Sequence, residues 1–234
     1  MRRRLVLGAS ALALAGCELP SFGAPDAASR EGSDVASLWK GFFIAGIAVA
    51  VLVYGLILYV TLRYRRRDDA IPNQHASNIK MEILYTATPI VVVAVLFGVS
   101  VAGQQRLTRT ADRPPLTVNV TSFQWGWRFD YADQHVTVIG TGEQQPPVLV
   151  LPVDEKVQLV LRTTDVNHAF WVPRFLEKRD LIEGVDNKID ITPNKLGRYD
   201  GRCAEYCGLD HWRMNFIVNV VTRTDFDQWV RAHQ

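Results

Sequence analysis

Two apolar runs decide what this chain can fold into. Gly41 to Leu62 carries no charged residue, and neither does Ile83 to Gln105. At ~1.5 Å of rise per helical residue, each run can cross a hydrocarbon core of about 30 Å. The first ends in Arg63-Tyr64-Arg65-Arg66-Arg67, and arginines set hard against a span mark the cytoplasmic side. The second carries Pro89 in its first turns, where a kink is expected. The pair predicts a transmembrane hairpin of spans 38–62 and 81–105 joined by a cytoplasmic loop, 63–80.

The start of the chain gives the same orientation. Arg2, Arg3 and Arg4 precede an apolar stretch, Leu5 to Leu14, in the manner of an export signal over residues 1–17. It ends Leu14-Ala15-Gly16-Cys17, which looks like a bacterial lipobox, with lipid attached at Cys17 after cleavage. An ordinary signal peptide with a chance cysteine is the alternative. Residues 18–37, rich in Ala, Ser, Gly and Pro, read as a flexible external linker. Glu82 stands at the start of the second span. A carboxylate there is favoured by the helix N-terminus, which the spacing alone supports better; the other reading is a protonatable group at the mouth of a proton path.

From Pro114 the texture changes to short β-rich runs between turn residues. Leu116–Thr121, His135–Ile139, Val148–Leu151, Lys156–Leu161, Lys188–Ile191 and Phe216–Val221 alternate or cluster as strands do. They predict an exported β-sandwich over residues 113–222, followed by a C-terminal tail, 223–234. Phe123, Trp125, Trp127, Phe129 and Tyr131 alternate as one face of a single strand would. Packing accounts for most such rings, while an exposed Trp in the stripe suits electronic contact with a redox partner.

Charge is segregated along the chain. Residues 1–112 hold 12 basic and 8 acidic side chains (+4), and residues 113–234 hold 14 and 16 (−2). A nucleic-acid partner needs a basic patch on the folded domain, so none is expected. The mildly acidic exported part suits a basic protein.

The chemistry concentrates in Cys203-Ala-Glu205-Tyr-Cys207-Gly-Leu-Asp-His211-Trp-Arg-Met214, with His168 upstream in Asp165-Val-Asn-His168. Soft sulfur donors with imidazole favour copper over oxygen-loving cations. A disulfide is open to Cys203 and Cys207 in an oxidising compartment, but closes a tiny loop and leaves His211 and Met214 unexplained. A Cys2His2 zinc site has no use for a thioether. A mononuclear blue-copper site needs only one cysteine. Two thiolates bridging two copper ions, with one imidazole each, use the whole set. Met214 would be the weak ligand of one ion and a backbone carbonyl that of the other.

These residues resemble subunit II of the haem–copper cytochrome c oxidases, dinuclear CuA type, over about Leu38 to Val221. The resemblance rests on the hairpin, Gln124-Trp125-Gly126-Trp127, Asp165-Val-Asn-His168 with Trp171-Val-Pro173, and the Cys203–Met214 motif. It implies a membrane-anchored cupredoxin-like Greek-key β-sandwich carrying a dinuclear copper centre. His168, Cys203, Cys207, His211 and Met214 match the family's copper ligands. Glu205 matches the residue that binds copper through its carbonyl and magnesium, shared with subunit I, through its side chain. Trp125 matches the electron acceptor, Asp165 the cytochrome c docking acids, and Glu82 the mouth of a proton pathway.

The implied protein is an electron-accepting subunit of a proton-pumping terminal oxidase in a bacterial cell membrane, with the copper domain on the extracytoplasmic side. Its partners are haem-bearing subunit I, subunit III, membrane lipid and a separate cytochrome c or cytochrome c domain as donor. The chain has no C-x-x-C-H, so no haem is expected in it. A membrane-anchored mononuclear copper protein or copper chaperone is the alternative; copper stoichiometry separates the two.

Overall fold

The computed structural model describes residues 21–68, 71, 74–142 and 145–234. The leader and Cys17 lie outside the described residues. The chain divides into a helical unit, residues 37–105, and a β unit formed by the remainder.

The helical unit consists of most of α1 (Arg30–Arg63) and α2 (Ile79–Leu107). Their apolar side chains lie outward: Leu52 is 59% exposed and Phe97 69%. In water that surface would be untenable, so it belongs in lipid or against other helices. Helix α2 runs on through Pro89. At Gly103 an added Cβ would sit 2.6 Å from Leu38 Cδ1, so glycine is what lets α1 and α2 approach there.

The β unit is a sandwich of two five-stranded sheets. The first contains β1 (Leu116–Phe123), β2 (Gly126–Tyr131), β3 (Val136–Thr141), β5 (Val157–Thr163) and β8 (Asn187–Ile191), in the order β3-β2-β1-β5-β8. The second contains β4 (Val148–Pro152), β6 (His168–Val172), β7 (Glu177–Leu181), β9 (Gly197–Cys203) and β10 (Asn215–Val221), in the order β4-β10-β9-β6-β7. The β1–β5 and β4–β10 pairs are parallel and the rest antiparallel, so the chain crosses between sheets in Greek-key fashion. Inward residues of both sheets meet in an aromatic core. Phe170 stacks on Phe216 at 4.7 Å and Trp127 meets Phe216 edge-on at 5.0 Å.

Three sequence expectations change. Residues 24–36 are not a free linker. Ala28 and Ser29 are buried, Arg30 N–H donates to Thr192 O, and Glu31 accepts from the Thr192 amide at 2.8 Å and hydroxyl at 2.9 Å. The small residues that read as slack are what close backbone approach requires; a Cβ on Gly32 would collide with the Phe175 carbonyl. The aromatic stripe is not one strand either. Gln124-Trp125 form a hairpin turn, so Trp127, Phe129 and Tyr131 are buried while Phe123 and Trp125 stay at the surface. The C-terminal stretch is α3 (Arg223–His233), capped by Thr222 and anchored through buried Phe226 and Val230.

Candidate metal centre

The site forms where two strand ends meet a loop. His168 opens β6 and Cys203 closes β9, and these strands pair at Phe170↔Cys203. The Ala204 amide donates to Ala169 O at 3.1 Å and the Cys203 amide to Met214 O at 2.9 Å. Between Cys203 and Met214 the loop turns at Gly208, whose φ of +118° is the left-handed region that glycine occupies at low cost. A single helical turn, His211–Arg213, then delivers Met214 back to the strand.

The donors line up in sequence. His168 Nδ1 lies 3.7 Å from Cys203 Sγ, Cys203 Sγ lies 3.9 Å from Cys207 Sγ, and Cys207 Sγ lies 3.5 Å from His211 Nδ1. Met214 Sδ is 3.8 Å from Cys207 Sγ, and Cys203 Sγ donates to the Glu205 carbonyl at 3.2 Å. Each thiol thus has its own imidazole and its own weak donor. Both cysteines are free, which removes the disulfide reading. His168, Cys203, Cys207 and Met214 are all buried, and the donor atoms of the first three lie within 4.8 Å of one another. A buried, sulfur-rich cluster of this kind fits a soft cation.

Charge in the cluster also fits. Burial pushes the Cys203 thiol up, but the hydrogen bonds with His168, Ala169 and Glu205 and the charge of His168 together outweigh that and hold it below the usual thiol range. His168 is driven down by burial and up by Cys203 and Asp165, and ends above the ordinary imidazole range. The Cys207 thiol is pushed up to about 12 by burial and by neighbouring Cys203. Two adjacent buried thiolates repel, so Cys207 needs a cation before it gives up its proton.

Asp165 faces inward as well as outward. Its Oδ1 lies 2.9 Å from His168 Nε2 and accepts the Val166 amide at 2.7 Å, while its Oδ2 accepts the Gln124 amide at 2.7 Å. Burial pushes this carboxyl up, but the hydrogen bonds from His168, Gln124 and Val166 prevail and lower it. With Nε2 held by Asp165, His168 presents Nδ1 to the thiols.

Trp125 donates its indole N–H to the Cys207 carbonyl at 3.1 Å. Glu205 is exposed at the side chain, 3.6 Å from Lys178 Nζ, so only its carbonyl joins the thiols. Glu82 is remote in sequence and lies in the helical unit. Its Oε1 accepts the Asn78 amide at 3.1 Å while Asn78 Oδ1 accepts the Met81 amide at 3.3 Å, a reciprocal cap on α2. Gln124, which the sequence places in the Gln124–Trp127 motif without a role of its own, also donates its side-chain amide to Cys207 O at 2.7 Å. Its place beside Trp125 in that motif was the available signal.

Comparison with known proteins gives the assignment. Family models described as the transmembrane domain and the periplasmic domain of cytochrome c oxidase subunit II match residues 18–102 and 143–221. A probable cytochrome c oxidase subunit 2 of Streptomyces avermitilis is 36% identical, over 99% of this chain and 87% of its own length. The chain belongs to the cytochrome c oxidase subunit II family. The subunit 2 of Mycobacterium bovis is 30% identical, over 97% of this chain and 79% of its own. The solved periplasmic domain of subunit II of cytochrome oxidase from Bradyrhizobium japonicum is 29% identical with a TM-score of 0.50, covering 53% of this chain and 96% of that domain. As a family member the chain is a membrane-anchored subunit of a respiratory oxidoreductase complex. Copper binding follows from the family, and the His168–Cys203–Cys207 cluster fits it.

Proposed function

We propose that this subunit takes electrons from a cytochrome c and hands them to the haem-bearing subunit I of its oxidase. The pairing of each thiol with a separate imidazole carries the reading. His168 beside Cys203 and His211 beside Cys207 suit two metal ions better than one. Two copper ions held by this set would supply a one-electron couple shared between them.

The residues divide the work. His168, Cys203, Cys207, His211 and Met214 would hold the metals with their side chains, and Glu205 with its carbonyl. The Glu205 side chain is left for magnesium at the boundary with subunit I. Asp165 orients His168; any docking of cytochrome c by this carboxylate is secondary, because both oxygens already accept hydrogen bonds. Trp125 receives the electron at the surface and is joined to Cys207 by its indole hydrogen bond. The burial of four ligands excludes water from the site.

The two spans anchor the domain on the extracytoplasmic side of a bacterial cell membrane, where subunits I and III and lipid surround them. Glu82 caps α2 and stands where a proton pathway would open. Stopped-flow reduction of the purified oxidase by cytochrome c tests the reading: Trp125→Phe should keep copper and slow electron uptake. An unchanged rate would remove Trp125 from the route.

A further inference from the structure

The turn that carries Trp125 is fastened at more points than a hairpin turn needs. Gln124 donates its backbone N–H to Asp165 Oδ2 and its side-chain amide to Cys207 O, both at 2.7 Å. The Trp125 indole donates to the same Cys207 carbonyl at 3.1 Å. A carbonyl has two lone pairs, and here both neighbours take one. The next residue, Gly208, has φ +118°, and a Cβ there would stand 3.1 Å from Gln124 Nε2 and 3.2 Å from Trp125 Cζ2. Both side chains therefore lie directly on the Cys207–Gly208 peptide.

That peptide is the short route into the site. From the indole N–H it runs through one hydrogen bond to the carbonyl oxygen, then along the bonds O=C, C–Cα, Cα–Cβ and Cβ–Sγ of Cys207. Left to itself it is poorly fixed, because glycine tolerates rotation that other residues do not. The indole's own bond is the longer of the two, and its ring is only partly buried. The shorter bond from Gln124 fixes the carbonyl on which the indole rests.

We propose that Gln124 is a positioning residue for electron uptake: by sharing the Cys207 carbonyl with Trp125 it locks the peptide that joins the indole to the metal-binding thiol. The inference rests on Trp125 being the route of uptake. Gln124 touches no donor atom of the metal set, so its loss leaves the metal in place. It acts on the geometry of the step and not on the affinity for the donor.

The test uses the whole oxidase with Gln124→Leu, which keeps the bulk and removes the donor, and Gln124→Glu, which keeps the shape and is ionised at neutral pH. The inference expects uptake at saturating cytochrome c to fall about 10- to 100-fold, the scale of a small misplacement of a positioned group. KM and the copper electron paramagnetic resonance spectrum should stay as in the wild type. In the purified full-length chain carrying 15N-labelled tryptophan, the Trp125 indole N–H, assigned by its loss in Trp125→Phe, should exchange faster with solvent in both variants. A raised KM with a wild-type maximal rate would overturn the inference and make Gln124 a docking contact. So would an altered copper spectrum, or an unchanged rate with unchanged indole exchange. Trp125→Phe separates the two levels of failure. If it slows uptake and the Gln124 variants do not, only this inference falls; if it also leaves uptake unchanged, the route through Trp125 falls.

Discussion

Replacing Asp165 by alanine should loosen the metal centre without unfolding the sandwich. The carboxylate accepts from His168 Nε2 at 2.9 Å and from two backbone amides, Gln124 and Val166, at 2.7 Å each. A hydrogen bond to a charged group is worth roughly 1.5–3 kcal/mol, and partial solvent exposure, 28% for this side chain, reduces that. About 1.4 kcal/mol of lost orientation at His168 corresponds to a tenfold loss of copper affinity, at the lower end of what loss of a ligand's supporting partner typically does. Competition against a chelator of known affinity measures it directly. Asp165→Asn keeps an acceptor oxygen and should lose less. Copper affinity in Asp165→Ala equal to wild type would refute the reasoning and return Asp165 to the surface role that its sequence position suggests.

Three further outcomes are expected. Met214→Leu nearly conserves volume at a fully buried position, so the fold should survive while the reduction potential shifts in a potentiometric titration; an unshifted potential would make Met214 core packing alone. Tyr131→Phe strips the hydroxyl that both donates to Val150 O at 2.9 Å and accepts from Val150 N–H at 2.7 Å, leaving two buried backbone groups without that partner. It should cost about 1–3 kcal/mol and lower the thermal midpoint of the full-length chain by roughly 2–12 °C; a shift under a degree would contradict this. Burial pushes the Glu177 carboxyl up, against the pull of Arg179, so the fold prefers it protonated. Its contribution is fully present below the unfolded carboxyl pKa and is lost as pH rises through the folded one. Glu177→Gln should therefore flatten part of the decline in thermal midpoint as pH rises above the ordinary carboxyl range, and an identical profile would count against it.

The spans and the cluster of proposed metal ligands were legible because each is written locally. A charge-free run needs no partner to be recognised, and Cys203, Cys207, His211 and Met214 fall within one loop. Asp165 was readable as an acid but not as the partner of His168, since a loop carboxylate three residues away is as often on the surface. Strand β9 escaped because its inward positions are Gly197, Tyr199, Gly201 and Cys203, and glycine does not register as apolar alternation. Gly201 is small because the Phe216 ring occupies the space its Cβ would take. Strand β7 has four charges in five residues, which an edge strand tolerates and a pattern search rejects. The docking of residues 24–36 was hidden for a related reason. Close contacts select small residues, and small residues look like slack.

The proposed function stands on Cys203 and Cys207 sharing two copper ions. The most direct test is an electron paramagnetic resonance spectrum of the copper-loaded chain, taken with its copper-to-protein ratio. One electron shared by two equivalent spin-3/2 nuclei gives seven hyperfine lines, so the account predicts seven lines and a ratio of two, both lost in Cys203→Ser. Four lines and a ratio of one would mean a mononuclear site, and the electron-accepting role proposed for this subunit would fall with the copper pair.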